Sequence, residues 1–307
     1  METRNIGPLT VSVVGLGCNN FGTRLDAAQT ERVVHAALDA GINFFDTADR
    51  YAAGTSEEYL GRALRGRRHE AIIATKFGKP VGDTPASATA AYIQRAVEAS
   101  LRRLAVDHID LYQIHEPHPE VPIAETLGAL DELVRAGKVR AIGCSNFSAL
   151  QIEEAERTAR QSGGARFVSV QNEYSMLVRD PEHDGVLDAC ERYDLALLPY
   201  FPLASGLLTG KYRLGKPLPQ DTRISSGWLD AHHTAENLER VERLIAFAEA
   251  RGHTILELAF SWLLHRRRVA SVIAGATRPE QVRANAAAAG WRLSEQDLAE
   301  VDAALAA

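Results

Sequence analysis

A chain of 307 residues is long enough for two ordinary domains or one large α/β barrel, and 46% hydrophobic with 24% charged residues is the balance of a globular protein with a substantial core. A net charge of -6 and an isoelectric point near 6.0 give no electrostatic reason to expect nucleic acid or an anionic membrane as partner. The opening METRNIGPLT lacks the apolar core of a signal peptide and no apolar run is long enough to span a bilayer, so a cytoplasmic location is expected.

Gly7-Pro8 between short alternating segments predicts a hairpin over Arg4 to Ser12. VSVVGLG then reads as the first core strand, followed by an amphipathic helix from Asp26 to Ala40 closed by Gly41. The beat repeats. NFFD leads to a helix over Ser56 to Leu64, AIIATK to one over Ser87 to Leu104, and HIDLYQIH to one over Ile123 to Ala136. RAIGCSN, FVSVQN and LALLPYF continue as strands, with helices Ala149 to Arg160 and Glu182 to Tyr193 between them. A long irregular segment, Ser205 to Thr234, has the length of a binding loop or lid. Helices Ala235 to Arg251 and Thr254 to Arg266 precede the last strand, VASVIAG, which leads to a helix over Glu280 to Ala289. Ser294 caps a terminal helix.

Eight strand and helix units with short, continuous apolar strands predict a closed (β/α)8 barrel in one domain over residues 1–307. Extra helices stand before the eighth strand and at the C-terminus. An open dinucleotide-binding sheet is disfavoured, because GLGCNNFG has Asn20 where its fingerprint needs a third Gly. SGLLTGKY misses a phosphate-binding P-loop by its spacing and by Tyr212. Cys18, Cys144 and Cys190 lie far apart, which argues against a disulfide framework and a zinc site, and no metal is expected. The clusters Arg65 to Arg68 and Arg266 to Arg268 each follow a helical run and read as solvated charge complementing a helix C-terminus.

Barrels of this kind keep their chemistry at the C-terminal strand ends. Those ends carry Asp46, Lys76, His115, Ser145 with Asn146, Gln171 with Asn172, and Tyr200, and Tyr51 follows Asp46 by five residues. Singly each has a structural reading; together they converge on one mouth. A free phenol, with pKa about 10, is a poor acid at neutral pH. A nearby ammonium (Lys76) is expected to lower that pKa, a carboxylate (Asp46) to hold the ammonium, and His115 to orient a carbonyl oxygen beside Tyr51. Asp49 and Arg50, in between, have no assigned chemistry. Protonating a carbonyl oxygen makes sense if a hydride reaches its carbon, and the amides of Asn146 and Gln171 with the ring of Tyr200 suit a nicotinamide.

The sequence resembles the aldo-keto reductases over nearly its whole length, through D-x-x-x-x-Y at Asp46 and Tyr51, TKFG, LYQIHEP, GCSNFS, QNEYSML, PLASGLLTGKY and IAGATRPEQVRAN. It looks more like the microbial and potassium-channel β-subunit branches than the mammalian aldose reductase branch. The resemblance implies a catalytic set of Asp46, Tyr51, Lys76 and His115, with Tyr51 as proton donor. It implies that Ser145, Asn146 and Gln171 hold the carboxamide and that Tyr200 stacks on the nicotinamide. Leu203, Ser205, Gly206, Leu208 and Lys211 would line the pyrophosphate channel, Gly17 and Cys18 would touch the cofactor, and Gly275, Thr277, Arg278, Gln281 and Asn285 fall at the adenosine end. Arg278 is the nearby cation suited to a 2′-phosphate, so NADPH is expected, with NADH as the alternative.

The expected activity is reduction of a small aldehyde or ketone. Oxidation of a sugar or alcohol by the same machinery, and a cofactor-sensing regulatory subunit, are the alternatives. Asn20, Phe21, Phe77 and the loop around Trp228 are expected to shape the substrate pocket. The sequence carries no signal of oligomeric state.

Overall fold

The computed structural model describes residues 1–220 and 232–306. Strands β1 (Thr3–Ile6) and β2 (Leu9–Ser12) form an antiparallel hairpin in which Ile6 faces Leu9. Eight parallel strands follow: β3 (Val14–Gly17), β4 (Phe44–Asp46), β5 (Ile72–Phe77), β6 (Ile109–Ile114), β7 (Val139–Ser145), β8 (Phe167–Gln171), β9 (Ala196–Leu197) and β10 (Val272–Gly275). They lie in the order β10-β3-β4-β5-β6-β7-β8-β9. The sheet curls on itself. Leu197 N–H donates to Arg268 O at 2.7 Å and Ala270 N–H to Leu197 O at 3.1 Å, joining β9 to the segment leading into β10.

Between the strands run α1 (Ala27–Asp39), α2 (Thr55–Ala63), α3 (Ala90–Leu104), α4 (Ile123–Arg135), α5 (Ala149–Ser162) and α6 (Val186–Tyr193). Then come α7 (Ala235–Glu249), α8 (Ile255–His265), α9 (Pro279–Ala287) and α10 (Glu295–Ala306). Reciprocal side-chain caps start three of them, at Asp26 and Gln29, Ser148 and Gln151, and Thr254 and Glu257.

Strand alternation divides the apolar residues into two layers. Phe45, Ile73 and Phe77 pack outward against the helices, whereas Phe44, Ala74, Leu111 and Ala141 fill the barrel interior with Ile6, Leu9 and Val11 of the hairpin. The hairpin therefore plugs one end. Asn43, just before β4, fixes it there by accepting from Ser12 N–H at 2.7 Å and donating to Thr10 O at 3.1 Å. That is the N-terminal end of the strands, which leaves the opposite mouth for a site.

Several boundaries differ from the pattern. Val11 and Ser12 belong to the hairpin's second arm, so the first barrel strand begins at Val14. Helix α3 starts at Ala90, whose N–H is taken by Glu125 Oε1 at 2.9 Å. Gly185, at φ 84°, separates α6 from a short 3-10 turn over Asp180–Glu182. Pro199, which has no N–H to donate, follows closely on the two-residue strand β9.

The two arginine clusters also divide. Arg65 and Arg267 are exposed. Arg68 instead pairs at 2.7 Å with the fully buried Asp110, and Arg266 donates to Tyr174 Oη and Glu182 at 3.1 and 3.2 Å. A buried carboxylate needs a partner, and a long side chain at a helix end can reach one. No helix among the described residues is long and apolar enough to cross a membrane.

Candidate active site

Register brings the polar strand ends together. Asp46 on β4 pairs with Ala74, so Lys76, two residues further along β5, faces the same way. Lys76 in turn pairs with Gln113, and His115 lies two residues beyond it at the end of β6. Lys76 Nζ donates to Asp46 Oδ2 at 2.7 Å and to Thr47 O at 2.9 Å. It lies 5.3 Å from the centroid of the Tyr51 ring, close enough for its charge to act on the phenol. The Tyr51 and His115 rings stand edge to face with centroids 6.1 Å apart.

Tyr51 is held by its turn. Ala52, Ala53 and Gly54 all take left-handed conformations, at φ 48°, 52° and 96°. For a residue with a Cβ this costs about 1–2 kcal/mol. Such strain persists where the surroundings over-determine it, a common property of functional sites.

A second set of side chains continues the network around the mouth. Gln171 Nε2 donates to Asp46 Oδ1 at 3.0 Å, and Ser145 Oγ donates to Gln171 O at 2.7 Å. Asn146, at φ 60°, donates to His115 O at 2.9 Å and Ser145 Oγ at 3.2 Å, and accepts from Tyr200 Oη at 2.9 Å. Of these side chains, Gln171 is the one that bonds Asp46 directly.

Burial sets most of the proton affinities. It opposes the Lys76 charge, but Asp46 and Tyr51 outweigh it and raise the ammonium above its ordinary value. Burial raises the Tyr51 phenol; Lys76 pulls it down, and Asp46 pushes it back up. The net position is above the ordinary value, which corrects the expected lowering: the phenol keeps its proton at neutral pH. His115 is pushed down to about 2 by burial first, then by the charges of Lys76, Lys79 and Arg50. Its ring is neutral, and Nδ1 has no partner among the described residues.

These residues open onto a cavity of about 940 Å³. Gly17, Cys18, Ser145, Asn146, Gln171, Tyr200, Leu203, Ser205, Gly206, Lys211, Gly275, Thr277, Gln281 and Asn285 all line it, as does Asn20. A nicotinamide dinucleotide fits this wall on two observations. Ser205 Oγ is buried without a partner among the described residues, and it lines the same cavity as the amides of Asn146 and Gln171. The turn over Ala204–Thr209 opens with Ala204, Ser205 and Gly206 at φ 44°, 58° and 103°. Gly206, at φ 103°, takes a backbone conformation that residues with a Cβ rarely adopt, and a Cβ there would lie 3.1 Å from Lys211 Nζ.

Four expected positions fall elsewhere. Leu208 is fully buried on the core side of its turn, and Arg278 is an exposed residue at the N-cap of α9. Phe21 and Phe77 are also fully buried and do not line the cavity. Phe77 stacks on Tyr112 with centroids 4.8 Å apart, because the neighbour of an inward residue on a strand must face outward. Trp228 lies outside the described residues.

The pattern also missed wall residues, among them Arg24, Arg50, Lys79, Glu116, Phe201 and Leu256. Lys79 and Glu116 follow Lys76 and His115 by three residues and one, so reading each loop beyond its strand end would have found them. Among the described residues no cluster of His, Cys, Asp and Glu could hold a metal ion.

Behind Tyr51 lies a buried acidic pair. Glu57 accepts from Thr75 Oγ1 and Arg103 Nε, each at 2.6 Å. Asp49, whose Oδ1 has no partner among the described residues, is raised to about 7 by burial and then by the charge of Glu57. Asp49 and His115 give opposite pH dependences. The unfolded histidine, with pKa about 6.5, binds a proton that the folded one refuses, so that stability is lost as pH falls from about 6.5 towards 2. The Asp49 contribution is complete below about 3.9 and is lost as pH rises to about 7. The two partly cancel where the windows overlap. Asp49→Asn should therefore stabilise by on the order of 2 kcal/mol more near pH 8 than near pH 5. Urea denaturation at both pH values measures this, and an equal effect at both would show that the carboxyl does not titrate in that window.

A barrel of parallel strands whose mouth combines these groups with a dinucleotide-sized cavity is the architecture of a nicotinamide-dependent oxidoreductase. The model of the aldo/keto reductase family matches residues 13–306. The chain belongs to that family. It is 34% identical to the NADP(+) aldo-keto reductase yakc of Schizosaccharomyces pombe, over 98% of this chain and 90% of that one. It is also 34% identical to a probable voltage-gated potassium channel subunit beta of Arabidopsis thaliana, over 93% and 90% of the two chains. Among solved structures, the glycerol dehydrogenase of Gluconobacter oxydans superposes with a TM-score of 0.86 at 33% identity, covering 99% of this chain and 95% of that one. The protein is thus an NAD(P)H-dependent oxidoreductase of a family that acts on small carbonyl compounds.

Proposed function

We propose that this chain, acting as one domain, reduces an aldehyde or ketone to the alcohol with NADPH, and that Tyr51 is the proton donor. The observation that carries the reading is the buried Asp46–Lys76 ion pair, 2.7 Å apart, with its ammonium 5.3 Å from the centroid of the Tyr51 ring. The nicotinamide, when bound, supplies a hydride to the carbonyl carbon. Tyr51 then gives its proton to the oxygen as that oxygen gains negative charge. Lys76 supports the phenolate left behind, and Asp46 keeps Lys76 charged and in place. The neutral His115 ring offers an N–H to the same oxygen. Donors fixed before the reaction need no rearrangement as charge develops, and that is the largest gain such a site offers.

Ser145, Asn146 and Gln171 would hold the carboxamide, and Tyr200 would stack on the ring. Ser205, Gly206 and Lys211 would face the pyrophosphate, and Gly275, Thr277, Gln281 and Asn285 the adenosine end. Arg278 does not line the cavity itself, but it directly follows Thr277, which does, and it is exposed with no ion-pair partner among the described residues. A guanidinium in that position favours a 2′-phosphate, which supports NADPH over NADH. Arg278→Ala should raise KM for NADPH about tenfold and leave KM for NADH within about twofold. Equal effects on the two cofactors would remove the phosphate role.

Run in reverse, the same groups would oxidise an alcohol, a direction supported by the likeness to a glycerol dehydrogenase. The direct test of the reductase reading is loss of NADPH absorbance with para-nitrobenzaldehyde. No loss, alongside tight NADPH binding, would favour a cofactor-sensing role instead.

A further inference from the structure

Among the described residues, the substrate side of the cavity carries an unbalanced positive charge. Arg50 and Lys79 line it together with Tyr51 and His115, and the charges of both reach the imidazole. Among the described residues two carboxylates border the same wall, and each is already engaged. Glu116 lies 3.0 Å from Lys79 Nζ, and Asp46 lies 2.7 Å from Lys76 Nζ. Arg24 also lines the cavity and has a partner of its own. Arg50 is different: among the described residues it has no ion-pair partner.

Its base is rigid. Arg50 immediately precedes Tyr51, has helical backbone angles of φ -79° and ψ -17°, and begins the turn whose left-handed residues fix the phenol. The guanidinium is therefore tethered one residue from the proposed proton donor, at the wall where a substrate's far end would lie.

We propose that the carbonyl substrate carries a carboxylate, and that Arg50 anchors it while the carbonyl oxygen meets Tyr51 and His115. The charge count selects the anion. One uncompensated guanidinium matches a carboxylate monoanion and can hold both its oxygens through two parallel N–H donors. A phosphate dianion would leave charge unmatched at this wall. The inference rests on the reductase reading and names the substrate class of that same site. Because Arg50 acts away from the reacting carbon, its contribution falls equally on ground and transition states and should appear in KM rather than kcat.

The test compares para-carboxybenzaldehyde with its methyl ester, which has the same aldehyde and ring but no charge. The wild-type protein is expected to favour the acid in kcat/KM by about tenfold, through KM, and the preference should shrink with added salt. Arg50→Ala should bring the acid-to-ester ratio close to one, while Arg50→Lys keeps much of it. A merely structural role for Arg50 would lower both substrates alike and leave the ratio unchanged. That result, or a wild-type ratio near one, would overturn the inference while leaving the reductase reading intact. Failure to reduce the acid, the ester and para-nitrobenzaldehyde alike would overturn both.

Discussion

Replacing Tyr51 by Phe should lower kcat for para-nitrobenzaldehyde by about a thousandfold, the middle-to-upper part of the range for removing a general acid. The ring would remain edge to face with His115, 6.1 Å away, so the cavity keeps its shape. The interaction of the phenol with Lys76 would go, while the Asp46–Lys76 pair stays. NADPH affinity should stay within about twofold, since no proposed cofactor contact involves the phenol oxygen. A variant retaining the full rate would assign the proton to another group. The raised phenol makes this test sharp, because the proton is present on Tyr51 at neutral pH and is not replaced by a pre-formed phenolate.

Lys76→Met should be damaging in two separable ways. Lys76 is 1% exposed and Asp46 4% exposed, so removing the ammonium leaves a carboxylate in the interior whose remaining side-chain partner among the described residues is the Gln171 amide, 3.0 Å from Oδ1. Breaking a buried ion pair from one side costs about 3–5 kcal/mol. Activity should fall by a factor comparable to that for Tyr51→Phe, because the phenolate loses its counter-charge. Adding Asp46→Asn to Lys76→Met removes the stranded charge, and the double variant should recover much of the lost stability while staying inactive. Urea denaturation and NADPH turnover measured on the single and double variants separate the two effects. If the double variant recovered activity as well, the ammonium would have no part in the chemistry.

The barrel was legible because parallel strands buried on both faces are written as short apolar runs, and a polar residue ending such a run is conspicuous. Asp46, Lys76 and His115 stand out for that reason, and the two-residue advance from each strand to the next brings them to one wall. Phe77 misled because a run of apolar letters hides which face each residue takes. Lys76 points inward, so Phe77 joins the helix layer against Tyr112. Arg68 and Arg266 misled for another reason: nothing local in the sequence announces a buried carboxylate such as Asp110, forty-two residues away from its arginine.

Asp49 was equally hidden. Its environment is assembled from α2, α3 and β6 as well as its own loop, and its raised affinity for a proton depends on Glu57 in the three-dimensional arrangement. The cations of the wall, Arg50 and Lys79, sit in loops whose course the strand pattern does not fix. Residues on regular elements could be placed by periodicity, and residues on loops could not.

The central claim is that hydrogen passes directly from the nicotinamide to a carbonyl carbon beside Tyr51. It is tested most directly by incubating the protein with para-nitrobenzaldehyde and NADPH fully deuterated at nicotinamide C4, then examining the alcohol by mass spectrometry. A single deuterium on the carbinol carbon is the expected result, and an alcohol without deuterium would contradict the mechanism.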